Sequence, residues 1–165
     1  MTRASCTART KPVDVTRRAF TLVELIVVLV IISAIAGLAL PAYGSAVARY
    51  RLDAAAYALS GELDRSAVHA RTTASTVTIR FDTTNHLVEF DNLPDRRSGA
   101  ATFTLDLREE PRDATLVSVN FDGFEYYSIS GYGVPSTDGL IILRNTGGAR
   151  RINVDAATAM SRVSR

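Results

Sequence analysis

The sequence predicts an α+β protein: one long N-terminal helix, half membrane-spanning and half amphipathic, packed on an antiparallel β domain. Three observations carry that prediction. From Phe20 to Leu40 the chain runs 21 residues with Glu24 as the only charged one. Between residues 45 and 72, apolar side chains recur at helical spacing. From Ser75 onward the apolar period drops to two, as in half-buried strands.

The first 19 residues carry Arg3, Arg9, Lys11, Arg17 and Arg18 against Asp14, a net of +4. Pro12 and scattered Thr and Arg mark them as a disposable leader. Cys6, the single cysteine, lies in this leader, so an intramolecular disulfide and a Cys-built metal site are both excluded. Residues 20 to 165 hold 14 basic and 16 acidic side chains, a net of −2 that gives bulk electrostatics no case for nucleic acid.

The apolar run would measure about 32 Å as a helix, close to the hydrocarbon thickness of a bilayer. A carboxylate inside such a helix costs roughly 2.5–3.5 kcal/mol, so Glu24 calls for a function. A plain anchor, oriented N-terminus inward by Arg17 and Arg18, leaves it unexplained. A secretory signal finds an A-x-A site at Ala34-Ile35-Ala36, yet Glu24 interrupts its apolar region and helical patterning continues past Ala36.

The third reading rests on a resemblance. Arg17-Arg18-Ala19-Phe20-Thr21-Leu22-Val23-Glu24-Leu25, followed by the apolar run and Pro41, resembles the class III signal of type IV pilins and type II secretion pseudopilins. The resemblance implies that prepilin peptidase cuts between Ala19 and Phe20 and that Phe20 is N-methylated. It also implies that Glu24 pairs with the N-terminal amine of a neighbouring subunit, which makes a buried charge tolerable and sets assembly register. Ala19 stands where that family usually has Gly, and the 19-residue leader is longer than usual; a start at Val13 or Val15 would leave a short basic one.

Beyond Pro41, which fits a kink where the helix leaves the membrane, the stripe Leu52, Ala56, Leu59, Leu63, Ala67 and Ala70 predicts a helix packed on its own domain. Arg51, Asp53, Glu62, Arg65 and Arg71 lie mainly off that stripe. Strands are expected where Val77, Ile79 and Phe81, then Phe103, Leu105 and Leu107, then Val117, Val119 and Phe121 alternate with polar residues. Further strands are expected at 86–90, 125–130, 139–144 and 149–154, seven or so in all. Asn92 to Pro94, Asp122-Gly123, Pro135 to Gly139 and Asn145 to Gly148 supply turns, and Asp95 to Ala100 reads as an exposed loop. The expected organisation is a leader over 1–19, a membrane or filament-core helix over 20–43, its amphipathic continuation over 44–73, and a periplasmic β domain over 74–165.

Leu63-Asp64-Arg65-Ser66-Ala67-Val68 with Val77-Thr78-Ile79, and the ending Tyr132-Gly133-Val134-Pro135, Gly139 to Leu143 and Arg151-Ile152-Asn153-Val154, resemble the GspH/FimT family of minor pseudopilins and minor pilins. Residues 156 to 163 depart from it by lacking a late Gly. The resemblance implies an H-type minor pseudopilin of type II secretion, single-pass in the inner membrane, with a cytoplasmic N-terminus and a periplasmic β domain. Its implied partners are other pseudopilins, prepilin peptidase and the inner-membrane assembly platform. The alternative is a FimT-like minor type IV pilin in pilus assembly or DNA uptake.

No catalytic constellation emerges, and neither enzyme activity nor a cofactor is expected. His69, near the helix end, and His86, at a turn or strand start, read as surface histidines, since two His without Cys make a poor zinc set. Asp122-Gly123 lacks the alternating oxygen ligands of a calcium loop. Glu109 and Glu110, adjacent on a strand, would point to opposite faces. Arg144, Arg150, Arg151, Arg162 and Arg165 gather in the last 22 residues. The layout resembles that of some FimT-type minor pilins whose Arg-bearing tail binds DNA, which implies a contact through Arg150, Arg151, Arg162 and Arg165. The tail lacks that family's Gly-Arg-x-Arg pattern and residues 20 to 165 carry a net of −2, so a solvated strand edge is the favoured reading.

Overall fold

The computed structural model describes residues 21–164. Helix α1 is Leu22–Thr73, 52 residues through Pro41. Eight strands follow: β1 (Val77–Asp82), β2 (Leu87–Asp91), β3 (Phe103–Asp106), β4 (Thr115–Asn120), β5 (Tyr126–Ile129), β6 (Gly139–Asn145), β7 (Gly148–Asp155) and β8 (Met160–Ser164). The chain divides into two compact units, the first ending at Ala39 and the second running from Leu40.

In the second unit the strands form two antiparallel four-stranded sheets, ordered β3-β2-β1-β5 and β4-β6-β7-β8. The inward side chains of both sheets and the helical stripe make one core. Leu52, Ala56, Leu59 and Ala70 are fully buried, and Leu63 and Ala67 nearly so. At the core's centre the rings of Phe81, Phe121 and Tyr127 stack, with Phe121 and Tyr127 centroids 4.2 Å apart. Burial, with the charge of Asp64 adding, pushes the Tyr127 hydroxyl pKa up.

Short-range chemistry fixes the ends of elements. Ala74 takes φ 50°, so α1 stops there with the Ser75 N–H bonded to the Ala70 carbonyl. A β-carbon on Gly131 would lie 2.8 Å from the Ala74 carbonyl carbon, so only glycine lets that loop cross the helix end. Gly147 does the same at the β6–β7 turn, where a β-carbon would stand 2.5 Å from the Arg49 nitrogen. The neighbouring Asn145 donates its side-chain amide to the Ala48 carbonyl at 2.7 Å, fastening the turn to α1.

Four sequence expectations need correction. The described residues form eight strands against the seven or so expected: β8 is missed because Met160-Ser161-Arg162-Val163-Ser164 offers little apolar alternation. Tertiary bonds support it instead, for Asp64 accepts both the backbone N–H and the hydroxyl of Ser161, and that hydroxyl also meets Ser60 Oγ at 2.6 Å. The period-two reading of Val117 fails at a bulge between Leu116 and Ser118. That extra residue leaves Val117 half exposed and turns Leu116 and Val119 inward. Glu109 and Glu110 lie in a turn, not a strand, and pair separately with Arg112 and Arg51. Arg150, finally, is buried rather than part of a solvated edge.

Candidate functional site

In the first unit, Ala19 and Phe20 lie outside the described residues, so the site begins at Thr21. Its hydroxyl accepts the Glu24 N–H at 3.2 Å, which makes Thr21 the cap of α1 and puts Glu24 in the first turn. Thr-x-x-Glu is the capping-box pattern, and a carboxylate there also suits the positive end of the helix dipole. The capping pattern was legible in Thr21-Leu22-Val23-Glu24, and the sequence reading missed it. From Thr21 to Gly37 every residue is exposed. Ser33 returns its hydroxyl to the Leu29 carbonyl, so that donor is satisfied within the helix.

In the second unit, α1 has three distinct faces. One is the core stripe. On either side of it, charged residues grip the β domain, Asp53 and Arg71 along one edge of the stripe and Arg51 and Arg65 along the other. Asp53 accepts from Arg150, Arg65 reaches the Pro94 carbonyl and covers the Phe103 ring, and Arg71 bonds the carbonyls of Tyr132 and Gly133. Arg51 lies 3.6 Å from Asp113. The third face is uncovered: Tyr43, Tyr50 and Tyr57, seven residues apart, are 72%, 70% and 66% exposed. Two helical turns separate each from the next, so they share one side of the helix. Sequence reasoning missed this row, though its spacing was the available signal.

The C-terminal arginines separate by strand parity. On β7, Arg150, Ile152 and Val154 point inward, while Arg151 and Asn153 point out. Arg150 donates Nε to Asp53 and Nη1 to the Ala149 carbonyl, so it ties β7 to α1 and is withdrawn from any external phosphate. Arg144, Arg151 and Arg162 are exposed on the outward face of β6, β7 and β8. Arg165 lies outside the described residues.

Neither histidine joins a metal set, and among the described residues no group of three or more His, Cys, Asp or Glu could hold one. His86, at φ 59° and half buried, accepts the Leu116 N–H through Nδ1 and so joins the β1–β2 turn to β4. Three aspartates organise turns. The N–H of Asn85 holds the Asp82 carboxyl below its ordinary range, that of Arg97 does so for Asp95, and that of Ala157 for Asp155.

The family model described as the prokaryotic N-terminal methylation motif matches residues 16–40. No curated protein matches the chain. Among solved structures, the type IV minor pilin FimU of Pseudomonas aeruginosa (strain PAO1) is similar in two crystal forms. One shows 17% identity and a TM-score of 0.52 over 71% of this chain and 90% of FimU. The other shows 15% identity and a TM-score of 0.51 over 69% and 93%. The fold is therefore pilin-like: a long N-terminal helix packed on antiparallel sheets, led by a prepilin-type motif.

Proposed function

We propose that the chain is a non-enzymatic filament subunit, an H-type minor pseudopilin of a type II secretion system that joins the pseudopilus tip. The observation that carries a filament reading is the methylation motif leading into an apolar helix exposed at every residue from Thr21 to Gly37. Prepilin peptidase would cut between Ala19 and Phe20, exposing the amine that becomes N-methylated. Glu24, four residues on, would meet the amine of a neighbouring subunit while its N–H stays capped by Thr21. The subunit would wait in the inner membrane, N-terminus cytoplasmic and β domain periplasmic, until the assembly platform lifts it among other pseudopilins. In the filament, the Tyr43, Tyr50 and Tyr57 row would face neighbours, since its own β domain leaves that side open.

A second reading, a minor type IV pilin, is favoured by the likeness to FimU. Its DNA-uptake form rests on fewer cations than the sequence offered, because Arg150 is committed to Asp53.

Intact mass of the chain from membranes with and without prepilin peptidase tests the filament reading. Loss of residues 1–19 plus one methyl group, only when the peptidase is present, supports it; an uncut chain or a cut after Ala36 overturns it. Ala19→Leu should block the cut, because the peptidase accepts a small residue there. Deleting the gene then separates the readings: failed secretion with intact pili supports the pseudopilin, and the reverse supports the pilin.

A further inference from the structure

The two sheets turn faces of opposite charge to solvent. On the β3-β2-β1-β5 sheet the outward positions include Asp82, Glu89, Asp91 and Asp106 against Arg80, which pairs with Asp91 at 3.5 Å. On the β4-β6-β7-β8 sheet they include Arg144, Arg151 and Arg162, with Asp155 at the far end. Register places Arg144 opposite Ala149, Arg151 opposite Ile142, and Arg162 opposite Asn153. The three guanidinium groups therefore step diagonally across three strands, about 7–8 Å per step at the backbone. Among the described residues none of them makes an ion pair. Half-buried Leu140 and Ile142 sit between them, and the acidic face has its own apolar member in the exposed Tyr126.

We propose that a second copy of this chain occupies the basic face, docking there by its acidic face. Charge complementarity identifies the occupant, since the anionic surface that matches the arginines is present on the same chain. A nucleic acid would meet the arginines but be repelled by the acidic sheet and by the net −2 of residues 20 to 165. The contact is heterologous, so a docked pair still offers one free face of each sign, and the arrangement extends rather than closes. The proposal goes beyond the filament reading: a minor subunit built this way enters a filament as a short run, not as a lone copy.

The test uses the full-length chain in membranes, on a Cys6→Ser background, with two differently tagged copies. One carries Thr104→Cys beside Glu89 and the other Asn153→Cys beside Arg162, both outward and exposed. Mild oxidation should link Thr104→Cys to Asn153→Cys and leave each like-with-like combination unlinked. Arg151→Glu with Arg162→Glu in the second copy should cut the linked fraction about tenfold or more, through like-charge repulsion. Glu89→Arg with Asp91→Arg in the first copy should then restore it. Absence of the mixed link or equal like-with-like links overturns the proposal. So does a link that survives Arg151→Glu with Arg162→Glu in the second copy alone, or a lost link that Glu89→Arg with Asp91→Arg does not restore. The same gel shows leader cleavage: a cut chain without the link removes only the face-to-face contact, and an uncut chain removes the filament reading.

Discussion

The two parts of α1 obey different solvents. From Thr21 to Gly37 the helix buries nothing, and its side chains are apolar all round apart from Thr21, Glu24 and Ser33. From Leu52 to Ala70 the same helix buries an unbroken stripe and spends its flanking charges on contacts with the β domain. A helix hydrophobic all round is a buried or membrane helix, and one hydrophobic on a single stripe belongs to a soluble core. The difference teaches that the second unit buries its apolar stripe within its own contacts, whereas the first presents apolar side chains that suit lipid or other helices.

The largest break of that comparison comes at Glu24. Glu24→Leu should make the apolar part a better membrane span while abolishing co-assembly, measured as recovery of the chain with sheared filaments. Glu24→Gln separates the proposed charge pairing from helix capping, because an amide at that position can still serve a capping box but carries no charge. If charge pairing sets register, both variants fail together. Normal assembly of Glu24→Gln would show that helix capping was all the carboxylate supplied.

Core packing gives the next effect. Leu59→Ala should destabilise the second unit by about 2–5 kcal/mol, as for other large-to-small changes at fully buried leucines. Its melting temperature should fall by roughly 8–20 °C in calorimetry of detergent-extracted chain. Leu29→Ala in the first unit should leave that transition where it was. Equal losses from both would mean that the helix does not divide its labour in this way.

Adjacent arginines sharpen the same point on a smaller scale. Asp53→Asn leaves Arg150, whose side chain is 10% exposed, without its carboxylate. Because Asp53 is itself 37% exposed, solvent screens the pair, and a loss of about 1–2 kcal/mol is expected in urea unfolding. Arg151→Ala, one residue on but outward, should stay within about 0.5 kcal/mol of the parent.

Sequence periodicity revealed what depends on one element at a time. The helical stripe, most of the strands and the Asp95 to Ala100 loop are patterns of single segments, and the structure has them where the residues point. It did not reveal what depends on two elements meeting. Arg150 reads as one more surface cation until strand parity turns it inward and α1 brings Asp53 beneath it. β8 lacks an apolar pattern because Asp64 and Ser60, about a hundred residues earlier, hold Ser161 in place. The bulge at Val117 reverses parity within an otherwise regular run. For the candidate site, the motif over residues 16–40 was legible because it lies in one contiguous stretch of sequence. The tyrosine row was legible in spacing, but its exposure follows only from where the sheets lie.

The smallest effect concerns acid. Asp82, Asp95 and Asp155 each stand at a turn, and backbone N–H groups from residues two or three positions on hold their carboxyls below the ordinary aspartate value. A carboxyl whose folded pKa is depressed binds its proton more readily in the unfolded chain. Its contribution to stability is therefore complete above about pH 4, where unfolded aspartate is ionised, and fades as pH falls through the lower folded value. Melting of the second unit should be level from about pH 6 to 4 and then decline toward pH 2. Replacing the three aspartates by Ala should lower the plateau slightly and flatten the decline, since fewer groups then take up protons on unfolding. A decline as steep as the parent's would place the acid sensitivity elsewhere in the second unit.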